Sequence, residues 1–300
     1  MTEGIKDKDA PFASVLVRAR DDEAIIGRTL DGIFSQKVPF KFEVVVCDDG
    51  STDATHEIAS RYPVRFFERP LGPYKPGRTL NALVADAKGE MAVFNNSDAV
   101  PLDDGWLKEL TAPLLDSPAK PRFVFANQLP RADATALVRK DSERAFGDGS
   151  VHRKWRFFFS LASSATWKRL LVETPFDEMI QFSEDVEWTW RNSRRAVDPV
   201  EIVYAANAHV EHSHNYTLKE LARRFRGEGA ADRTIFKDDP SLLREILSAG
   251  RESLRDMAYL ASRPRSWGEI PVSPVRRLIQ RISHYNGMKD AVRKEAQDAG

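Results

Sequence analysis

The sequence predicts an α/β protein with a mostly parallel sheet flanked by helices and a helical C-terminal extension. Up to about residue 130, short apolar β-branched runs alternate with amphipathic stretches of helical period. Most of these runs stop abruptly in polar turns rich in Asp, Asn and Gly. From about residue 217 onward the pattern reads as helix almost throughout.

Residues 14–18, SVLVR, form the first run, and Ala24, Ile25, Leu30, Ile33 and Phe34 then recur at near-helical spacing. Residues 42–47, FEVVVC, are a second apolar run and read as a buried parallel strand. The turn Asp48-Asp49-Gly50-Ser51-Thr52-Asp53 ends that strand, and its later members can cap a helix. The alternation continues with a strand at 64–67, a helix at 79–88 stopped by Gly89, and a strand at 91–94. A helix at 106–115 and a strand at 123–126 follow. Beyond residue 130 the rhythm breaks, leaving a helix near 185–195, a strand near 202–204 and a His-bearing segment. Pro264, Pro271 and Pro274 punctuate a linker between the last two helices. The expected layout is a polar tail at 1–12, one α/β catalytic domain at 13–216 and a helical region at 217–300. Such a doubly wound sheet places ligands beyond the carboxyl ends of its strands.

An apolar share of 42 % is enough for a sizeable core. The formal net charge of zero argues against a general nucleic-acid binder, which would be strongly basic. The single cysteine, Cys47, cannot form an intramolecular disulfide and lies in an apolar run, so it reads as buried and inert. No segment approaches the roughly 18–20 uncharged apolar residues of a spanning helix. The polar N-terminus lacks the apolar stretch of a secretory signal, so the expected location is cytoplasmic, with peripheral membrane contact still open.

Four segments could carry chemistry. In the 48–53 turn an Asp stands at the ligand-binding edge and could accept hydrogen bonds from a base or ribose. Taken alone, an Asp-Gly turn with a helix cap explains it as well. Asn95-Asn96-Ser97-Asp98-Ala99 follows the next strand in the same position, where a carboxylate can hold Mg²⁺ or Mn²⁺; a simple turn before Pro101 is the alternative. Glu184, Asp185 and Glu187 crowd the start of a helix. With Ser183 as N-cap they would suit the helix dipole, and one of them could equally serve as a general base. His209, His212 and His214 are three of the six histidines, and in an extended chain His212 and His214 share a face. No cysteine is near enough for a structural zinc site, so one His completing an oxygen-rich divalent site fits better. Arg18, Arg20, Lys75 and Arg78 sit at strand ends or helix starts and could neutralise a diphosphate. Arg223, Arg224 and Arg226 read as a solvated helix face. Neither a phosphate loop nor a G-x-G-x-x-G fingerprint occurs, which counts against a nicotinamide enzyme.

The order of these segments resembles the GT-A fold, family-two-type inverting glycosyltransferases of bacterial polysaccharide synthesis. The matching stretches are SVLVRARDDEAIIGRTLDGIFSQ, VVVCDDGSTDAT, YKPGRTLNALVADAKGE, NNSDAVPLDDGWLKEL, FSEDVEWTWR and VEHSHNYTLKELARRF, spanning roughly residues 13–226. YKPGRTLN and HSHNYTL point to the rhamnosyltransferase-like branch. The resemblance implies that Arg18 and Arg20 flank the base, where Thr and Tyr are more usual, and that Asp49 contacts the nucleobase. It places Ser97 in the donor-binding segment and makes Asp98 the last acid of a D-x-D metal motif. Asn96 stands in for the first acid, a position commonly non-acidic in this branch. Asp185 takes the place of the catalytic base, with Glu184 beside it, and His212 that of a histidine completing the metal site.

The implied reaction moves a sugar, rhamnose being one candidate, from a nucleoside diphosphate to a glycan or lipid-linked acceptor. It proceeds with inversion and with Mn²⁺ or Mg²⁺ as cofactor, in synthesis of a capsule or O-antigen. Two alternatives compete. A nucleotidyltransferase would release pyrophosphate, and a non-catalytic scaffold would only bind sugar nucleotides. Along residues 273–294, Val275, Leu278, Ile279, Ile282, Met288 and Val292 line up beside Arg276, Arg277, Arg281, Lys289, Arg293 and Lys294. Such a helix either meets an anionic membrane surface or packs on the catalytic domain or in a homo-oligomer.

Overall fold

The structure is a computed structural model that describes residues 10–155 and 157–298. Most of the expected tail at 1–12 lies outside the described residues. The chain divides into two compact units. One comprises the described residues up to Leu129 with Ala145–Met179 and Glu184–His212; the other comprises Pro130–Arg144, Ile180–Ser183 and the chain from Ser213 onward.

In chain order the elements begin β1 (Ala13–Ala19), α1 (Ile26–Phe34), β2 (Phe42–Asp48), α2 (Thr55–Ala59), β3 (Arg65–Phe66) and α3 (Pro76–Asp86). Next come β4 (Met91–Asn96), β5 (Val100–Pro101), α4 (Trp106–Leu115), β6 (Arg122–Leu129), α5 (Ala136–Ala145) and α6 (Ser150–Lys154). Then follow β7 (Ser163–Trp167), α7 (Lys168–Glu173), α8 (Glu184–Asn192) and β8 (Glu201–Glu211). The last helices are α9 (Leu218–Phe236), α10 (Leu242–Ala261) and α11 (Val272–Asp298), with a 3₁₀ turn at Pro264–Glu269.

The strands form one eight-stranded sheet in the order β3-β2-β1-β4-β7-β6-β8-β5. Strand β1 runs parallel to both neighbours, so Arg18 lies opposite Cys47 on β2 and Asn96 on β4. Alternation along these strands feeds two cores. Val15, Val17, Val44, Val46 and Val93 pack with Ile26, Leu30 and Ile33 of α1, while Leu16, Val45, Ala92 and Phe94 pack with Leu80 and Leu83 of α3. Both faces are covered, which is why these strands read as continuous apolar runs. Trp106 and Trp188 are fully buried, and each indole N–H donates, to Ser163 Oγ and to the Thr174 carbonyl respectively.

Several local expectations need correction. The sheet is mostly parallel, as expected, but the sequence does not foreshadow its antiparallel pairs, β7 with both β4 and β6 and β5 with β8. The β7 sequence, SSATW, is too short and too polar to stand out as an apolar run. Helix α3 begins at Pro76, not at residue 79, since proline at the first helical position has its φ preset and needs no N–H partner. It ends at Asp86, two residues before the expected end. Strand β8 continues to Glu211, and its register against β6 shifts by three residues between Ala126 and Asn127, so Asn127 pairs with His209. Pro274 is not in a linker but in the first turn of α11, where its missing N–H costs no bond. Ser183 is in the left-handed region at φ 58°, not in the extended conformation of an N-cap.

The helical unit reverses the usual sorting of polar and apolar side chains. Thr217 and Glu220 close a capping box at the start of α9. On α10 the buried face carries Glu245, Glu252 and Asp256, and on α11 it carries Ser273, Arg277 and Gln280. Asp256, fully buried, accepts hydrogen bonds from Lys140, Ser273 and Arg277. Burial alone would raise its pKa, but these donors hold it down to about 2. Removing one partner of such a pair leaves a buried charge and costs about 3–5 kcal/mol. The apolar residues that would ordinarily fill this core, Leu243, Leu247 and Leu254 of α10 and Val275, Leu278 and Ile282 of α11, are exposed. Of the apolar stripe expected on α11, Met288 is buried.

Helices α9 and α11 meet backbone to backbone. A Cβ on Gly229 would collide with the His284 carbonyl, and one on Gly287 with the Arg226 carbonyl. Gly287→Ala should therefore lower stability by about 1–3 kcal/mol or more. The measurement is the midpoint of urea or thermal unfolding, and an unchanged midpoint would show that the two backbones are not in contact.

Candidate functional site

The predicted residues gather at the carboxyl ends of β1, β2 and β4. Half-buried Arg18 donates from Nη1 to Glu184 Oε1 at 3.3 Å and from Nη2 to Asn96 Oδ1 at 3.3 Å. Burial alone would lower its pKa, yet Glu184 and the charges around it more than offset that, so the guanidinium stays charged. Arg20 donates to Asp49 Oδ2 at 3.2 Å, and Arg69 pairs with the other oxygen of the same carboxylate. Asp48 turns back on its own loop, accepting from the Ser51 N–H at 2.9 Å and the Ser51 hydroxyl at 2.6 Å. Of the two neighbouring acids, Asp49 is thus the one turned toward the arginines.

Beyond β4, Asp98 is nearly buried, and its Oδ1 lies 3.4 Å from Nε2 of His212. The other imidazole nitrogen, Nδ1, is 2.8 Å from Gln128 Oε1. Gln128 is itself oriented by donating to Ser160 Oγ at 2.7 Å. An amide oxygen facing Nδ1 selects the tautomer that carries its proton there and leaves the Nε2 lone pair toward Asp98. A carboxylate oxygen and an imidazole lone pair at that spacing can share one divalent ion, so these residues fit a metal. Ser97 is turned away from this corner: its hydroxyl donates to Asp22, and its carbonyl accepts from Thr29 at 2.6 Å.

Helix α8 brings its first turn to the end of β1. Asp185 accepts from the Leu161 N–H at 3.2 Å and from the Val186 N–H at 2.9 Å. Burial first, and then the charge of Glu184, push its pKa up to about 6, against the opposing effect of these N–H donors and Arg18. Glu187 is drawn away into a pair with Arg191 at 2.7 Å.

Not every predicted residue joins the cluster. Arg78 is exposed on α3 and makes no ion pair with a described residue. Lys75 approaches Met179 Sδ at 3.9 Å. His209 lies 3.9 Å from Asp103. Arg224 pairs with Glu228 and Arg226 with Asp290, as expected of a solvated face. Cys47 is buried, and burial pushes its thiol up to about 11, which makes it inert. Sequence reasoning missed Arg69, Gln128 and Tyr74. The phenol of Tyr74 is raised by burial and neighbours both Arg18 and Glu184. Arg69 and Gln128 belong to no local pattern, and Tyr74, though it opens the YKPGRTLN segment, carries no signal of its neighbours there; only long-range packing brings the three in.

Residues 14–170 match the family model "Glycosyl transferase family 2". The chain belongs to this family. It is therefore a glycosyltransferase, for which inversion is the expected course. Among similar proteins, the O-antigen chain rhamnosyltransferase WbaN of Salmonella anatum is 25 % identical over 262 residues, 82 % of this chain and 78 % of that one. Two solved structures share the fold. The mannosyltransferase PcManGT of Pyrobaculum calidifontis, in complex with GDP-Man and Mn²⁺, gives a TM-score of 0.60 at 17 % identity, covering 91 % of this chain and 87 % of that one. The glucosyl-3-phosphoglycerate synthase of Mycobacterium tuberculosis, in complex with Mn²⁺, UDP and glucosyl-3-phosphoglycerate, gives 0.54 at 23 %, covering 76 % and 80 %. These findings favour sugar transfer over both the nucleotidyltransferase and the scaffold readings.

The carboxyl of Asp185 should titrate near pH 6, protonated below and ionised above. Glu184→Gln removes a neighbouring negative charge, so the midpoint should move down. Carboxyl-carbon NMR against pH reads both values. A wild-type midpoint near the ordinary ~3.9 of an aspartate, or one unmoved by the substitution, would contradict this electrostatic picture.

Proposed function

We propose that this glycosyltransferase moves a sugar from a nucleoside diphosphate onto a growing glycan or lipid-linked acceptor of a bacterial surface polysaccharide, by one inverting displacement. The carrying observation is the carboxylate pair of α8, held by Arg18 at the strand ends beside Asn96. Asp185 is the general base. With a pKa of about 6 it is ionised at neutral pH and remains basic enough to take a proton from the attacking hydroxyl. Glu184 is a positioning residue: paired with Arg18, it stands beside Asp185 and contributes to that carboxyl's raised pKa. The similarity to an O-antigen rhamnosyltransferase supports a deoxyhexose such as rhamnose as the transferred sugar, and an O-antigen or capsule as the product.

Arg20, Arg69 and Asp49 receive the nucleoside end of the donor, Asp49 as acceptor for base N–H groups and the arginines against its faces or phosphates. Arg78 and Ser97 complete the donor-binding set, Arg78 as an exposed cation in the first turn of α3 and Ser97 by bracing the turn that carries Asp98. Asp98 and His212 would hold Mn²⁺ or Mg²⁺. When bound, such an ion balances the charge that develops on the diphosphate leaving group. Two protein ligands suffice for an ion of this kind, because donor phosphates and water supply the others.

Asp185→Asn should lower turnover by about 10²–10⁴-fold, since the amide keeps the shape but cannot accept a proton. Donor affinity, measured by calorimetry, should stay within a few-fold. Turnover retained in this variant would remove Asp185 from the base role and make Glu184 the next candidate.

A further inference from the structure

Helix α10 points its apolar face outward. Leu243, Leu247 and Leu254 are 68 %, 65 % and 69 % exposed, and Leu242 and Ile246 are exposed beside them. They recur with the spacing of one helical stripe, and Gly250 lies within the same stripe with open space before it. A helix facing only water would not keep so many leucines on its solvent side, so something apolar covers this face.

The charges on α10 are sorted. All three acids, Glu245, Glu252 and Asp256, are on the buried side. The arginines Arg244, Arg251 and Arg255 are exposed along the apolar stripe. Arg255 and Arg244 reach toward acids, Arg255 to Glu252 at 2.8 Å and Arg244 to Asp238 at 3.8 Å, while Arg251 pairs with no described residue. Among the described residues of α10, none of the exposed ones is acidic. The exposed acids Asp238 and Asp239 precede the helix.

We propose that α10 is a membrane-docking helix that lies in the interface of a bilayer bearing anionic lipid, with its leucine stripe among the acyl chains and its arginines at the headgroups. An outward apolar face flanked by cations and cleared of acids is the pattern that binds such a surface. A second copy of the chain is the less fitting occupant. A two-fold contact through this face would set three arginines against the same three, with no exposed acid of α10 to pair them. Spanning is excluded for the described residues, because no helix there is long and apolar enough to cross a membrane. The α11 stripe, for which membrane contact and packing were both open, exposes less, since α10 exposes Leu242, Leu243, Ile246, Leu247 and Leu254 against Val275, Leu278 and Ile282 of that stripe. Docking through α10 does not depend on which sugar is transferred or on the role of Asp185.

The test is flotation of the full chain with vesicles of phosphatidylglycerol and phosphatidylcholine, and with vesicles of phosphatidylcholine alone. The chain should float with the anionic vesicles and much less with the neutral ones. Leu247→Glu combined with Leu254→Glu should cut recovery by about tenfold or more. These side chains are exposed, so thermal unfolding should stay as in the wild type. Arg251→Glu should reduce recovery without touching the apolar stripe, and added salt should do the same to the wild type. Absence of flotation with anionic vesicles would overturn the proposal, as would equal recovery of the double variant. A lipid-free dimer that both leucine substitutions convert to monomer, with no vesicle binding, would assign the face to a second copy instead.

Discussion

The bond network of Arg18 is the constraint on which the catalytic unit depends. It ties a parallel strand of the sheet to the helix that carries Glu184 and Asp185. Strand β1 runs parallel between β2 and β4, so its last residues, the DDGSTD turn and the NNSDA turn all emerge on one edge. Arg18 then spans from Asn96 to Glu184 and fixes the first turn of α8 at that edge. Two carboxylates side by side would repel each other. Arg18 offsets that repulsion for Glu184, while burial and the remaining repulsion keep the pKa of Asp185 raised.

Asn96 gains a physical reason from the same network. An aspartate there would face Arg18 and form an ion pair with it, so it would be a poor metal ligand. With an amide at 96, Arg18 remains available to Glu184, and the proposed metal site is left to Asp98 and His212. His212 reaches Asp98 only because β8 inserts three residues against β6 and continues to Glu211, and because Gln128 fixes the ring. The local segment marks His212 but not the contact that fixes its ring, since Gln128 lies 84 residues before it.

The strand-end motifs were legible in the sequence because each is local: an apolar run, then a polar turn. Helix α4 is found with its observed ends, since Gly105 precedes a clean apolar period and Asp116 follows it. Strand β7 was hidden because SSATW has no alternation to read, and its antiparallel pairing depends on distant partners. Arg69 was hidden because its role exists only once β2 and β3 lie side by side. Helix α10 shows a different limit. Periodicity marks two faces on a helix but not which of them is inward. The inward face is set by partners elsewhere, here Lys140 and Arg277, which make burial of Asp256 favourable.

The strand-end site is tested most directly by calorimetric titration of a panel of nucleoside diphosphates, with and without Mn²⁺, into the full chain and its Asp98→Ala variant. One nucleotide should bind, Mn²⁺ should tighten it, and the substitution should abolish the Mn²⁺ effect with a loss of about tenfold or more. Nucleotide binding that ignores both Mn²⁺ and the loss of Asp98 would contradict it.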